Sequence, residues 1–162
     1  MFVLGIDPGL TRTGYGVIEV VGHTERAVAA GVIRTDHAQP VADRLLELQR
    51  DIGGVLDEHE VESAAIEQVF VNRNRGTAIA VARASGVIMA CIAARGIAVA
   101  EYSPSEMKMA ITGSGAADKE QISAVVAMRL GLGPVAGPAD VADALGIALC
   151  HSQHAAIIRM RA

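Results

Sequence analysis

Four acidic side chains stand where their neighbours make them conspicuous. Asp7 follows the apolar run Phe2–Ile6 and opens Asp7-Pro8-Gly9. A carboxylate at a strand end sits where α/β sheets place ligands, although Asp-Pro-Gly is equally good turn chemistry. Glu67 interrupts the apolar stretch Ala64–Phe70, and a strand interior takes in a bare carboxylate only at a cost of several kcal/mol. An outward-facing position or a structural ion pair are the plain alternatives for Glu67. Asp140 and Asp143 are spaced i,i+3 and so share one face of a helix's first turn. One Asp there is explained as a cap on the positive helix terminus. A second, on a helix otherwise lined with Ala, Leu, Ile and Val, is not.

If the strands of Asp7 and Glu67 are parallel neighbours, their ends converge and the last helix can present Asp140 and Asp143 beside them. Packed carboxylates repel and hold each other's protons. Divalent cations relieve that repulsion, and an oxygen-only donor set selects magnesium or manganese over zinc. Two such ions, roughly 3.5–4 Å apart, polarise a phosphate, generate a hydroxide and stabilise the leaving oxygen. The chemistry expected of these residues is metal-dependent phosphodiester hydrolysis.

Other residues suit a nucleic-acid substrate. Phe70, one of two phenylalanines, precedes the polar, basic Val71-Asn72-Arg73-Asn74-Arg75-Gly76. A Phe leaving a strand is ordinarily core; beside arginines it also suits a wedge that stacks on bases, with Arg73 and Arg75 holding phosphates. Lys108 and Lys119 bracket Gly113-Ser114-Gly115. A lone GxG is ordinarily a flexible loop, but its amides and the helix start near Lys119 are a candidate phosphate site, and Lys119 a candidate stabiliser of transition-state charge. His151 and His154 are weighed as a second metal site and assigned instead to exposed or core positions.

The elements that must position these residues are readable from periodicity. Met1–Ile6, Tyr15–Val21 and Ala27–Thr35 read as strands with hairpin-length connections. Val41–Glu58 carries apolar residues at Val41, Leu45, Leu48, Ile52 and Val55/Leu56 on one helical face, behind Pro40. Ser63–Val69 returns to strand, and Thr77–Ala94 is a helix with Ala78, Val81, Ala82, Ser85, Ile88, Met89 and Ile92 in one stripe. Ile97–Tyr102 is a fifth strand, Ser105–Ile111 a short helix, and Lys119–Leu130 and Pro138–Met160 the last helices. With the short helix left out, the order is βββαβαβαα. This is an α/β chain, a five-stranded mixed sheet flanked by helices on both faces, forming one domain over residues 1–162.

Composition sets outer bounds. The 162 residues are 51% hydrophobic and 2% aromatic, which excludes disordered and low-complexity classes. A net charge of −4 provides no bulk attraction to nucleic acid, so any DNA contact depends on placed cations. Cys91 and Cys150 lie in apolar runs without ligand spacing and read as buried thiols in a reducing compartment. No signal segment is expected from Met-Phe-Val-Leu-Gly-Ile-Asp. The longest weakly charged stretch, Ala84–Ala94, is short of the ~20 residues of a membrane span, so the expectation is a cytoplasmic protein with no membrane partner.

Taken together, Gly5-Ile6-Asp7-Pro8-Gly9 with Thr13-Gly14-Tyr15-Gly16, Ile66-Glu67-Gln68-Val69-Phe70, Thr112-Gly113-Ser114-Gly115 with Ala117 and Lys119, and Asp140-Val141-Ala142-Asp143-Ala144-Leu145 resemble the RuvC-type Holliday junction resolvases. The likeness runs from Phe2 to His151 in order. It implies a ribonuclease H-like fold and a homodimer that nicks two like-polarity strands of four-way junction DNA in recombination and repair. It further implies Asp7, Glu67, Asp140 and Asp143 as catalytic, metal-binding carboxylates, two Mg2+ per subunit with Mn2+ as a substitute, and the RuvA–RuvB branch-migration complex as partner. Phe70, Arg73, Arg75, Lys108 and Lys119 are the DNA-binding candidates. Where family members commonly read Gln-Ala-Arg-Gly in the second helix, this chain has Arg83-Ala84-Ser85-Gly86. Two competing readings are a phosphate loop of the sugar-kinase and actin-like ATPases at Asp7–Gly14, and a junction-binding module that does not cut.

Overall fold

Alternation along the first strand decides how the sheet is covered. The computed structural model describes residues 1–69, 75–133 and 139–161, the side chains of 75 and 155–161 excepted. In it, β1 (Phe2–Asp7) sends Leu4 and Ile6 into one core and Val3 into the other, as the period of two requires. β2 (Arg12–Val21) and β3 (Thr24–Arg34) extend the sheet antiparallel to β1, turning at Gly22 with φ +60°. β4 (Val61–Glu67) and β5 (Ala98–Tyr102) extend it in parallel on the other side. The strand order is β3-β2-β1-β4-β5.

Helices lie on both faces, as expected. α1 (Val41–Glu58) and α2 (Arg75–Ala93) bury Leu48, Ile52, Ile88 and Ile92 with Leu4, Ile6 and Ile66. α3 (Pro104–Thr112), α4 (Lys119–Arg129) and α5 (Ala139–Arg161) bury Met107, Ile122, Leu145 and Leu149 with Val3, Ile18 and Ala65. The order is therefore βββαβαβααα. The segment left out of the shorter string is a full helix, started by Pro104 and a Ser103–Glu106 capping box and closed by Gly113 at φ +74°, which satisfy the terminal amides and carbonyls. Cys91 and Cys150 are both buried and free.

Three boundaries differ from the sequence reading in ways that bear on the site. β2 starts at Arg12 rather than Tyr15, because Arg12–Gly14 pair with Ile33, Val32 and Arg34 across the hairpin. β4 ends at Glu67 rather than Val69, so Glu67 is a strand-terminal, half-buried residue and not an interior one. The apolar stretch in α2 also exceeds Ala84–Ala94: Gly76–Ala93 is long and apolar enough to cross a membrane by length and composition, yet only 33% of it is buried. Its buried stripe is Ala78, Ala84, Ser85, Ile88, Cys91 and Ile92, while Ala82, placed in the stripe by periodicity, is exposed.

The seat of α5 is cut by glycines. A Cβ on Gly5 would stand 2.1 Å from the Ala144 carbonyl oxygen, one on Gly14 2.1 Å from that of Asp140, and one on Gly16 2.6 Å from Leu145 Cδ2. Gly5 faces Gly16, and Gly14 faces Asp7, across the β1–β2 ladder. Three missing side chains thus let the backbone of α5 lie against the sheet, which is what glycine in a strand accomplishes where another backbone approaches closely.

Candidate active site

The parallel pairing of β1 and β4 runs to Ile6 opposite Ile66, so Asp7 and Glu67 come next at the carboxyl ends of neighbouring strands. By alternation each follows Gly5 or Ala65 onto the face covered by α5. Their carboxyls are close enough for each to act on the other's titration. Burial, then Glu67, then Asp143 and Asp140, push the Asp7 carboxyl up from 3.8 to about 8. Glu67 is also raised, chiefly by burial and then by Asp143, against the opposing pull of Lys119 and Lys108. The four carboxylates named from sequence therefore share one electrostatic neighbourhood.

α5 brings its pair to that neighbourhood already engaged. Arg12 Nε stands 3.0 Å from Asp140 Oδ2, and Lys119 Nζ 3.4 Å from Asp143 Oδ2. Among the described residues, no three His, Cys, Asp or Glu side chains already surround one point as a metal cage would. An all-oxygen donor set in which burial and neighbouring charge raise the carboxyl pKa values of Asp7 and Glu67 is still the environment that a hard dication neutralises. The residues fit such an ion once their present counter-charges yield.

An open cleft of ≈ 600 Å³ lies over the strand ends, lined by Asp7, Pro8, Glu67, Gln68 and Val69, by Thr77, Ala78 and Val81 of α2, and by Ser103–Ser105. Val69 and α2 bracket the segment that carries Phe70 and Arg73; both of those residues lie outside the described ones, and Arg75 is placed only as the first residue of α2. Lys108 on α3 and Lys119 at the start of α4 both act on Glu67.

The Gly113-Ser114-Gly115 loop is not an open cradle for a phosphate. The amides of Gly113, Ser114, Ala116 and Ala117 already donate to Met109 O, Thr112 Oγ1, Ser114 Oγ and Ser114 O. The N-terminus of α4 is itself capped by Asp118, whose negative charge opposes an anion. His151 is held by Ser63 Oγ and by the Tyr102 hydroxyl, with Nδ1 2.9 Å from the latter, and His154 Nδ1 lies 2.8 Å from the Cys150 carbonyl. Both are packing residues rather than ligands among the described residues.

Comparison with known proteins decides the family. The model of the family "Crossover junction endodeoxyribonuclease RuvC" matches residues 3–151. The chain belongs to the RuvC family. RuvC from Streptomyces griseus is 49% identical over 152 residues, 93% of this chain and 74% of that one. RuvC from Leifsonia xyli is 50% identical over 93% of this chain and 73% of its own length. The solved RuvC of Thermus thermophilus in complex with a Holliday junction substrate superposes with a TM-score of 0.92 at 34% identity, over 97% of this chain and 96% of that one. The fold is thus ribonuclease H-like. Because the RuvC model accounts for Asp7–Gly14 along with the rest, the ATPase reading of that loop is set aside.

Two features of this RuvC chain were missed in the sequence. Arg12, the partner of Asp140, is an ordinary charge in an ordinary loop until α5 is docked. The glycine seat did leave a signal: Gly14 and Gly16 at a spacing of two, with Gly5 at the matching parity, mark one sheet face without side chains. The Arg83-Ala84-Ser85-Gly86 departure divides between the two sides of α2, with Ala84 and Ser85 buried and Arg83 and Gly86 exposed.

Proposed function

We propose that this chain is a crossover junction endodeoxyribonuclease that resolves four-way DNA junctions by paired, symmetric nicks during recombination and repair, with Asp7, Glu67, Asp140 and Asp143 as the catalytic carboxylates. The observation that supports it is the convergence of Asp7 and Glu67 at the carboxyl ends of paired parallel strands, with Gly14, opposite Asp7, packed against the turn of α5 that carries Asp140. Two Mg2+ per subunit, replaceable by Mn2+, are the ions this donor set would hold; when bound they polarise the scissile phosphate and supply a hydroxide nucleophile. The chain's own part is to keep the four carboxylates convergent, with the proton affinity of Asp7 and Glu67 raised until an ion takes the proton's place. Lys119 and Lys108 place positive charge beside Glu67, where the phosphate's charge grows in the transition state. Phe70, Arg73 and Arg75 are assigned to base stacking and phosphate contact.

A symmetric junction cut on two strands asks for a two-fold enzyme, and α2 has the surface for it. Ile79 is 54% exposed, and Ala82, Gly86, Ala90 and Ala93 are exposed with it at helical spacing. An apolar helix buried on one side only, with small residues on the other, suits a second copy of itself. We read residues 1–162 as one nuclease domain working as a homodimer in the cytoplasm, supplied with junctions by the RuvA–RuvB complex.

The test is a synthetic four-way junction assayed by gel with Mg2+ and with chelator. Cutting in Mg2+, its loss in chelator and persistence of a bound complex are expected. Binding without cutting at any dication concentration would leave only a junction-binding module.

A further inference from the structure

The cations nearest the carboxylates are engaged before any metal arrives. Arg12 directs Nε and Nη2 at Asp140 Oδ2, so a dication that takes this oxygen competes with a guanidinium. The displaced group has a fixed pivot. Thr13 Oγ1 donates to the Gly9 carbonyl at 2.6 Å and accepts from the Gly9 amide at 3.3 Å. Buried Arg44 donates to Thr11 Oγ1 at 2.8 Å and to Thr35 Oγ1 at 2.9 Å, and the Thr35 amide reaches the Thr11 carbonyl. The backbone around Arg12 is therefore pinned, while its side chain is 47% exposed. Directly across the β2–β3 ladder stands Arg34, also exposed. Opposed residues on one sheet face have Cβ atoms about 5 Å apart, and like charges at that spacing repel unless an anion joins them.

We propose that Arg12 is a transferable counter-ion: it masks Asp140 while the site is metal-free and, when dications take the carboxylates, swings from its pinned backbone to join Arg34 in clasping one phosphate of the DNA backbone. The inference rests on the reading of the carboxylates as a metal site and adds a positioning residue to it. Metal loading and DNA grip are thereby coupled, since the same event frees the cation and readies the cut. Coupling of this kind is reciprocal, so DNA also favours metal uptake.

The test uses Arg12→Gln and Arg12→Lys in the full chain, with melting as a fold control. Calorimetric titration with Mn2+ alone should show Arg12→Gln binding the ion about two- to fivefold more tightly than the parent, as removal of an exposed competing ion pair predicts, with Arg12→Lys between them. Junction binding measured across salt concentrations in Ca2+ should lose about 0.9 from its log–log slope in Arg12→Gln, the loss of one phosphate contact. In chelator the slopes of parent and variant should coincide. Unchanged or weaker Mn2+ binding, or a slope difference that persists in chelator, overturns the counter-ion role while leaving the metal site standing. A parent protein that takes up no Mn2+ overturns the metal site and this inference together.

Discussion

The two ends of α5 satisfy their polar groups in different ways. In its later turns, buried and half-buried groups close on one another: His151 takes Ser63 and Tyr102, and Ser152 and Arg129 both reach Glu25 on β3, the latter as an ion pair. Burial, with the charge of His154, lowers the His151 pKa and keeps the ring neutral. In its first turn, Asp140 and Asp143 are covered, among the described residues, by Arg12 and Lys119, whose side chains are 47% and 75% exposed, and the neighbouring Asp7 and Glu67 have raised pKa values. A network that is complete in itself holds a helix in place. One that is left short of positive charge is ready for a ligand, and perturbed carboxyls in a cleft are where chemistry is expected.

The largest expected effect is at the charged end. Asp7→Asn should reduce junction cleavage by about 1,000-fold or more, in line with the loss of an electrostatic element of a phosphoryl-transfer site. Its melting temperature in chelator should stay level or rise, since a neutral amide replaces a carboxyl that must be protonated. Retained cleavage would remove Asp7 from the site and dissolve the contrast.

Next comes the seat that joins the two ends. In Gly14→Ala the new methyl meets the Asp140 carbonyl, and forced overpacking costs typically 1–3 kcal/mol. Because the displaced turn is the one that carries Asp140, cleavage should fall by at least about tenfold at temperatures where circular dichroism shows the chain still folded. Cleavage equal to the parent under those conditions would mean that the first turn of α5 tolerates displacement. His151→Ala should do the reverse. Loss of a half-buried hydrogen-bonding group costs about 1–3 kcal/mol, while cleavage by the folded fraction stays within a few-fold of the parent.

The smallest effect separates the ends by pH. Asp7, with its folded pKa raised from 3.8 to about 8, contributes stability that is complete below its unfolded value and is lost as pH rises toward 8. His151, lowered by burial, contributes stability that is complete above its unfolded value of 6.5 and is lost as pH falls below it. Because the Asp7 contribution is lost across the whole range from 3.8 to about 8, melting of the chelated protein should decline toward pH 8, with the opposing His151 loss entering only below 6.5 and changes on the order of a few degrees. Mg2+ or Asp7→Asn should flatten the decline toward pH 8 alone, and His151→Phe should remove the loss below 6.5 alone. A single variant that flattened both would show the two ends to be one unit.

Much of the frame is legible along the chain because its signals are local. The bounds of α1 follow from apolar spacing behind Pro40, and they match the observed Val41–Glu58. Even there one position escapes periodicity: Arg44 is buried, because Thr11 and Thr35 from other strands satisfy it. Glu67 was legible as an anomaly but for an incomplete reason, since the strand ends at it rather than burying it mid-run. The GxG loop misleads in the opposite sense. Its glycines suggest free amides, but the Gly113 amide donates to the Met109 carbonyl, and the Thr112 and Ser114 hydroxyls accept from the amides of Ser114 and Ala116.

By itself the sequence determined which residues carry the chemistry and how many elements hold them, because carboxylates in apolar surroundings and the periods of strand and helix are written in neighbouring positions. Only the tertiary structure decided that Asp7 and Glu67 stand side by side at neighbouring strand ends, that glycines on β1 and β2 admit α5, and that Arg12 covers Asp140. Each of these depends on a distance between residues far apart in the chain. Coulombic and steric terms act on distance, and separation along the polypeptide does not encode it.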